Sequence, residues 1–230
     1  MTVFFDIDDT LYDRGLPFIA TAQEFFHDTV ADPRKAYRAC TSRGNEVFLP
    51  SQRGEISMDE MYVYRWCKGF ADVGISITPK EALDFQRLYR QNQDRITLSS
   101  VIEEMLQYCS QNADGLGIIS NGPSEKQWNK ISRLGLERFI ARDMMIISGD
   151  IGIDKPDAAI FRLAEQRSGK RPDELLYVGD SLKNDMYSAA ACGWHTIWFN
   201  CDVLPVPTDI HADAIVETQE NLAEEIRRFI

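Results

Sequence analysis

Apolar positions along this chain fall into two textures. From residue 17 to about residue 93 they recur at helical spacing, as in Phe18, Ala22 and Phe25, and again in Met61, Tyr64 and Phe70. The spacing predicts four helices, over Pro17–Val30, Pro33–Gly44, Met58–Val73 and Pro79–Gln93. Pro17, Pro33 and Pro79 stand near helix starts, where a missing N–H does no harm. Between the second and third helices, Phe48–Glu55 carries turn residues and reads as a polar loop. Tyr62 and Trp66 fall at core spacing within the third helix, although either could line a pocket.

On both sides of this helical stretch the texture is short apolar runs alternating with amphipathic segments. Val3–Phe5, Leu116–Ile119, Met144–Ile147, Leu175–Val178 and His195–Phe199 read as buried strands, and Asp213–Val216 as a short last one. Helices are expected over Ser100–Ser110, Pro123–Leu134, Ala158–Arg167 and Asp185–Cys192, with a closing helix from Asn221 and a loop over Ser148–Asp154. Regular βα alternation implies a parallel sheet with helices on both faces. The predicted fold class is therefore α/β, a Rossmann-like core over 1–14 and 99–230, with an inserted all-helical domain over 15–98.

Each predicted strand ends in a polar cluster. In such sheets ligands bind beyond the carboxyl ends of the strands, at the switch point of strand order. The first strand runs into Asp6-Ile7-Asp8-Asp9-Thr10. Three acids in four residues repel one another unless a cation compensates them, and hard oxygen ligands suit Mg²⁺. Asp6 can also serve as a carboxylate nucleophile toward phosphorus. Taken alone, the stretch is equally an acidic turn capping a helix.

The other clusters are open in the same way. Ser120-Asn121-Gly122 before a helix can cradle phosphate or simply cap. Lys155 near a helix start is poorly placed for the helix dipole unless something anionic holds it. Gly179-Asp180-Ser181 puts a carboxylate within reach of the metal held by Asp6, and Asp185 can hold Lys155 or a metal-bound water. Charge ties them together: a phosphate dianion with Asp6, Asp8, Asp180 and Asp185 needs a divalent cation and Lys155 beside it.

Composition narrows the class. Of 230 residues, 44% are hydrophobic and 27% charged, as in an ordinary soluble domain, and the net charge of −11 excludes a binder that tracks nucleic-acid phosphates. No apolar run approaches the ~20 residues needed to cross a bilayer, and the N-terminus has no signal-peptide pattern. The cysteines at 40, 67, 109, 192 and 201 lack metal-binding spacing and read as reduced, in a cytoplasmic protein.

These clusters, in this order, resemble the four motifs of the haloacid dehalogenase-like superfamily of phosphohydrolases. Asp6-Ile7-Asp8-Asp9-Thr10 resembles the first motif, Ser120-Asn121-Gly122 the second, Lys155-Pro156 the third and Gly179-Asp180 through Asp185 the fourth. The resemblance implies a Mg²⁺-dependent phosphomonoester hydrolase in which Asp6 attacks phosphorus and Asp8 acts as general acid, then base. It implies that Thr10, Ser120, Asn121, Gly122 and Lys155 form the phosphate-binding set, Thr10 by a local hydrogen bond that fixes the loop. The implied metal set is Asp6, Asp8 through its backbone carbonyl, Asp180 and Asp185, the last orienting the site from behind.

It further implies that the helical insertion is a cap whose closure excludes water. The Asp13–Gly15 loop reads as a hinge or flap, and Arg53 in the cap loop as a candidate specificity residue or a solvated surface arginine. Ser148–Phe161 and Gly193–Asn200 most resemble nucleotidase-like and phosphoglycolate phosphatase-like members, pyrimidine nucleoside monophosphatases among them. The expected partner is a small phosphorylated metabolite, with the chain a monomer or homodimer. Asp8 separates the chain from the dehalogenase branch. The alternatives are a phosphomutase, or a binding module on the same fold.

Overall fold

The computed structural model describes all 230 residues, the side chain of Gln52 excepted. Contacts divide the chain into two compact units, residues 1–13 with 97–230, and residues 14–96.

The first unit is built on six parallel strands, β1 (Thr2–Phe5), β2 (Gly115–Ser120), β3 (Met145–Ile147), β4 (Leu175–Gly179), β5 (His195–Phe199) and β6 (Ala214–Val216). They lie in the order β3-β2-β1-β4-β5-β6. All four residues of β1 are buried, and since side chains alternate along a strand, the sheet must be covered on both faces. Phe4 packs on one face against Trp194, ring centroids 5.4 Å apart, in a cluster with Phe161, Tyr177 and Trp198. Helices α5 (Ser100–Asn112), α6 (Ser124–Leu134), α7 (Ser148–Ile151), α8 (Ala158–Ser168), α9 (Tyr187–Ala191) and α10 (Gln219–Phe229) fill the connections. From β1 the sheet grows first toward β2 and β3, then crosses back to β4 on the other side. The switch point therefore lies between β1 and β4, where Phe5 is in register with Ile118 and Val178.

Two connections differ from the sequence expectation. Ser148–Ile151, expected as loop, closes one helical turn ended by Gly152 in the left-handed region. The helix expected from Asp185 starts earlier, as a π-helical turn over Leu182–Met186: the Ser181 carbonyl accepts from the N–H groups of both Asp185 and Met186. Such turns recur at functional sites, and this one buries Asp185.

The second unit comprises α1 (Gly15–Phe26), α2 (Pro33–Gln52), α3 (Met58–Ala71) and α4 (Pro79–Gln93). Its core is aromatic. Phe18 meets Trp66, Phe70, Phe85 and Tyr89 with centroids 5.5–6.4 Å apart. Trp66 is fully buried, and its indole N–H donates to Gln86 at 2.8 Å, so it is core rather than pocket lining. Starts of α3 and α4 are written in the sequence as Ser57…Glu60 and Thr78…Glu81, each a reciprocal capping box.

The predicted helix ends were less exact. Helix α1 stops at Phe26, because His27 and Asp28 both adopt positive φ. Helix α2 continues through most of the expected polar loop. Pro50 sits so near its C-terminal end that its missing N–H removes one hydrogen bond without breaking the helix.

Candidate active site

The site forms at the carboxyl ends of β1, β2 and β4. After Phe5 the chain turns sharply: the N–H of Leu11 donates to the Ile7 carbonyl at 3.0 Å, and Asp9 takes a left-handed conformation that Asp tolerates. Ile7 is buried in the core, while Asp6 continues the line of β1, its N–H donating to Val178 O at 2.9 Å.

Lys155 is the hub. Its ammonium group is buried and spends all three protons: on Asp6 Oδ1 at 2.8 Å, Asp185 Oδ1 at 2.6 Å and the Tyr177 hydroxyl at 2.8 Å. Tyr177 in turn donates to Ile119 O at 2.8 Å. Burial pushes the Tyr177 phenol well above its ordinary range, so it stays a neutral donor. Burial also works against the charge on Lys155, but Asp185 and Asp6 overcome it and hold the ammonium well above its usual range. Burial pushes Asp6 up to about 6, with Lys155 pulling the other way and Asp185 and Asp8 adding to the rise.

Asp185 is held on its second oxygen by the Ser181 N–H at 2.9 Å. Gly179 makes room for it, since a Cβ there would stand 2.4 Å from Asp185 Oδ2. One oxygen from each of Asp6, Asp180 and Asp185 lies within 4.8 Å of the others. Lys155 contacts Asp6 and Asp185, and the three carboxylates together offer only hard oxygen donors. That donor set fits a divalent cation of the Mg²⁺ kind.

The remaining expected site residues lie around this hub in varied roles. Ser120, buried at the end of β2, accepts from Gln127 Nε2 at 2.9 Å. Asn121 forms a two-way link to the main chain of Lys155, donating to its carbonyl and accepting its N–H, both at 2.8 Å. It thus ties the second cluster to the third. The Gly122 N–H, expected to be available to an anion, donates to Ser148 Oγ at 2.9 Å. Thr10 Oγ1, expected to make a local hydrogen bond, is buried with no partner among the described residues.

The Asp8 carboxylate is directed elsewhere than the three-acid cluster. Both its oxygens lie 2.7 Å from Lys130 Nζ, one accepts from the Tyr12 hydroxyl at 2.7 Å, and the other is 3.2 Å from Gln127 Nε2. Arg53, in the helical unit, is exposed, with Glu55 at 3.8 Å. Sequence reasoning missed Tyr177, Gln127 and Lys130. The signal for the last two was their i, i+3 spacing on the helix after Ser120, which places them on one face. Tyr177 carried no signal beyond that of a buried aromatic strand residue.

Fold and site together define a Rossmann-like core with a carboxylate–lysine centre at its switch point. The chain belongs to the haloacid dehalogenase-like hydrolases: the family model of that description matches residues 1–193. It is 40% identical over 82 residues to glyceraldehyde 3-phosphate phosphatase from Methanopyrus kandleri, covering 36% of this chain and 34% of that one. It is 36% identical over 87 residues to the pyrimidine 5'-nucleotidase YjjG of Escherichia coli, covering 37% of each. The chain thus spans about a third of the length of these curated relatives. Among solved structures, the HAD-hydrolase YfnB from Bacillus subtilis, bound to magnesium, superposes over 98% of this chain and 97% of its own with a TM-score of 0.69. At 21% identity that likeness shows the fold alone.

Proposed function

We propose that this chain is a Mg²⁺-dependent phosphomonoester hydrolase of small phosphorylated metabolites, acting through a phospho-aspartate on Asp6. The observation that carries the reading is the fully committed ammonium of Lys155, which grips Asp6 and Asp185 beside the three-acid cluster. A buried carboxylate whose orientation is fixed and whose charge is partly offset is a nucleophile poised for phosphorus. The names of the relatives, phosphatases and a nucleotidase, support the same class of substrate.

In this reading an Asp6 oxygen attacks phosphorus, and the bond from phosphorus to the ester oxygen breaks. Asp8 passes its proton to the departing alkoxide. Asp8 then takes a proton from water, whose oxygen attacks phosphorus and breaks the bond to Asp6, releasing inorganic phosphate. Lys155 holds Asp6 in line throughout and offsets charge on the phosphoryl group, while Ser120 Oγ donates to a phosphoryl oxygen. Mg²⁺, when held by Asp6, Asp180, Asp185 and the Asp8 carbonyl, supplies charge compensation for the phosphoryl oxygens.

Residues 15–98 act as the substrate-selecting cap, with Arg53 as a candidate contact. Five free cysteines suit a reducing compartment such as the cytoplasm.

Phosphate release from a panel of nucleotides, sugar phosphates, phosphoglycolate and acyl phosphates tests the proposal, with Mg²⁺ and with EDTA. Release should require Mg²⁺ and fall about a thousandfold or more in Asp6→Asn. Unchanged release in that variant, or silence from the folded wild type, overturns it.

A further inference from the structure

The Asp8 carboxylate is gripped from two directions. Tyr12, four residues along the same turn, donates to Oδ1 at 2.7 Å. From α6, Lys130 Nζ lies 2.7 Å from both oxygens, and Gln127 Nε2 lies 3.2 Å from Oδ2. Gln127 is itself buried and anchored, its Nε2 also 2.6 Å from Asn121 O and 2.9 Å from Ser120 Oγ. Two of those three acceptors carry no hydrogen, which fixes the orientation of the amide. Its other end, Oε1, is buried with no partner among the described residues. The glutamine therefore leaves its carbonyl unpaired while its N–H groups stay on Ser120, Asn121 and Asp8.

We propose that Lys130, supported by Gln127 and Tyr12, is a positioning residue that fixes the Asp8 carboxyl for proton transfer. The proposal rests on the phosphohydrolase reading above. Side-chain exposures of 24% for Lys130 and 17% for Asp8 distinguish the pair from a solvated surface bridge, whose geometry wanders. Contact of the ammonium with both oxygens, with Tyr12 on one and Gln127 on the other, fixes the plane of the Asp8 carboxyl group. Misplacing a proton donor by about 1 Å can cost a hundredfold in rate.

The test compares two substrates, p-nitrophenyl phosphate and the alkyl phosphate with the highest turnover in the panel. kcat/KM reports only steps up to departure of the alcohol. A nitrophenolate leaves without a proton, whereas an alkoxide needs one. Lys130→Met keeps the length and apolar stem of the side chain. It should lower kcat/KM about 30-fold or more on the alkyl ester and less than about threefold on the nitrophenyl ester. On the nitrophenyl ester kcat and KM should fall together, because hydrolysis of phospho-aspartate still needs Asp8 as base. Lys130→Arg should restore the alkyl activity to within about fivefold of wild type.

Equal losses of kcat/KM on both esters, no loss on either, or an arginine variant no better than methionine overturns the clamp. Wild-type release that ignores EDTA and Asp6→Asn overturns the hydrolase reading instead, and an inert wild type overturns both.

Discussion

Asp6→Asn should stabilise the metal-free protein at neutral pH. Burial pushes the Asp6 carboxyl from 3.8 up to about 6, outweighing the pull of Lys155 at 2.8 Å. Between those values the folded state binds a proton that the unfolded chain has already released. Unfolding free energy therefore falls as pH rises through that window and is flat above it. At about 1.36 kcal/mol per pH unit, a window of roughly two units amounts to about 3 kcal/mol carried by the ionised wild type above pH 6. Asparagine carries no charge, and its carbonyl can still accept from Lys155, so a gain of about 2 kcal/mol remains after allowance for imperfect mimicry. Urea unfolding of both proteins in EDTA, from pH 4 to pH 8 and followed by hydrogen exchange of the β1 amides, reads it. The difference should be near zero at pH 4, grow to pH 6 and level off. A difference independent of pH, or an asparagine variant less stable at pH 7.5, would show that the Lys155 pair outweighs burial and refute the reasoning.

Two further outcomes follow from packing. Gly149→Ala would place a Cβ 2.5 Å from the Ser124 nitrogen and 2.6 Å from the Gly122 carbonyl, both backbone atoms that cannot swing away. It should cost about 1–3 kcal/mol in thermal unfolding and raise KM by displacing the Ser120–Gly122 loop. Trp66→Ala removes the largest buried side chain of the helical unit and strands the Gln86 carbonyl. A loss of about 3–5 kcal/mol is expected, seen as lost exchange protection in α1, α3 and α4.

What the sequence determined by itself was the periodicity and the punctuation. Apolar runs such as Val3–Phe5 and Leu175–Val178, each ending in an acid or a glycine–acid pair, announce parallel strands with polar carboxyl ends. Such strands are buried on both faces and need no partner to be recognised. Pro33 and Pro79 likewise mark helix starts, because a missing N–H costs nothing in the first turn. The acids and Lys155 were legible as candidates for the same reason: each stands where a strand or helix ends.

Tertiary structure decided whatever depends on partners far along the chain. Lys155 meets Asp6 across 149 residues of sequence, and Lys130 meets Asp8 across 122. Tyr177 reads as one more apolar strand residue until the fold sets its hydroxyl between Lys155 and Ile119. The end of α1 at Phe26 and the π turn before α9 also escaped the pattern. His27, Asp28 and Ser181 select local backbone conformations that periodicity does not encode. Strand order had the largest effect: only the crossover from β3 back to β4 sets Asp6 and Asp180 on either side of one crevice, where their oxygens can share a cation.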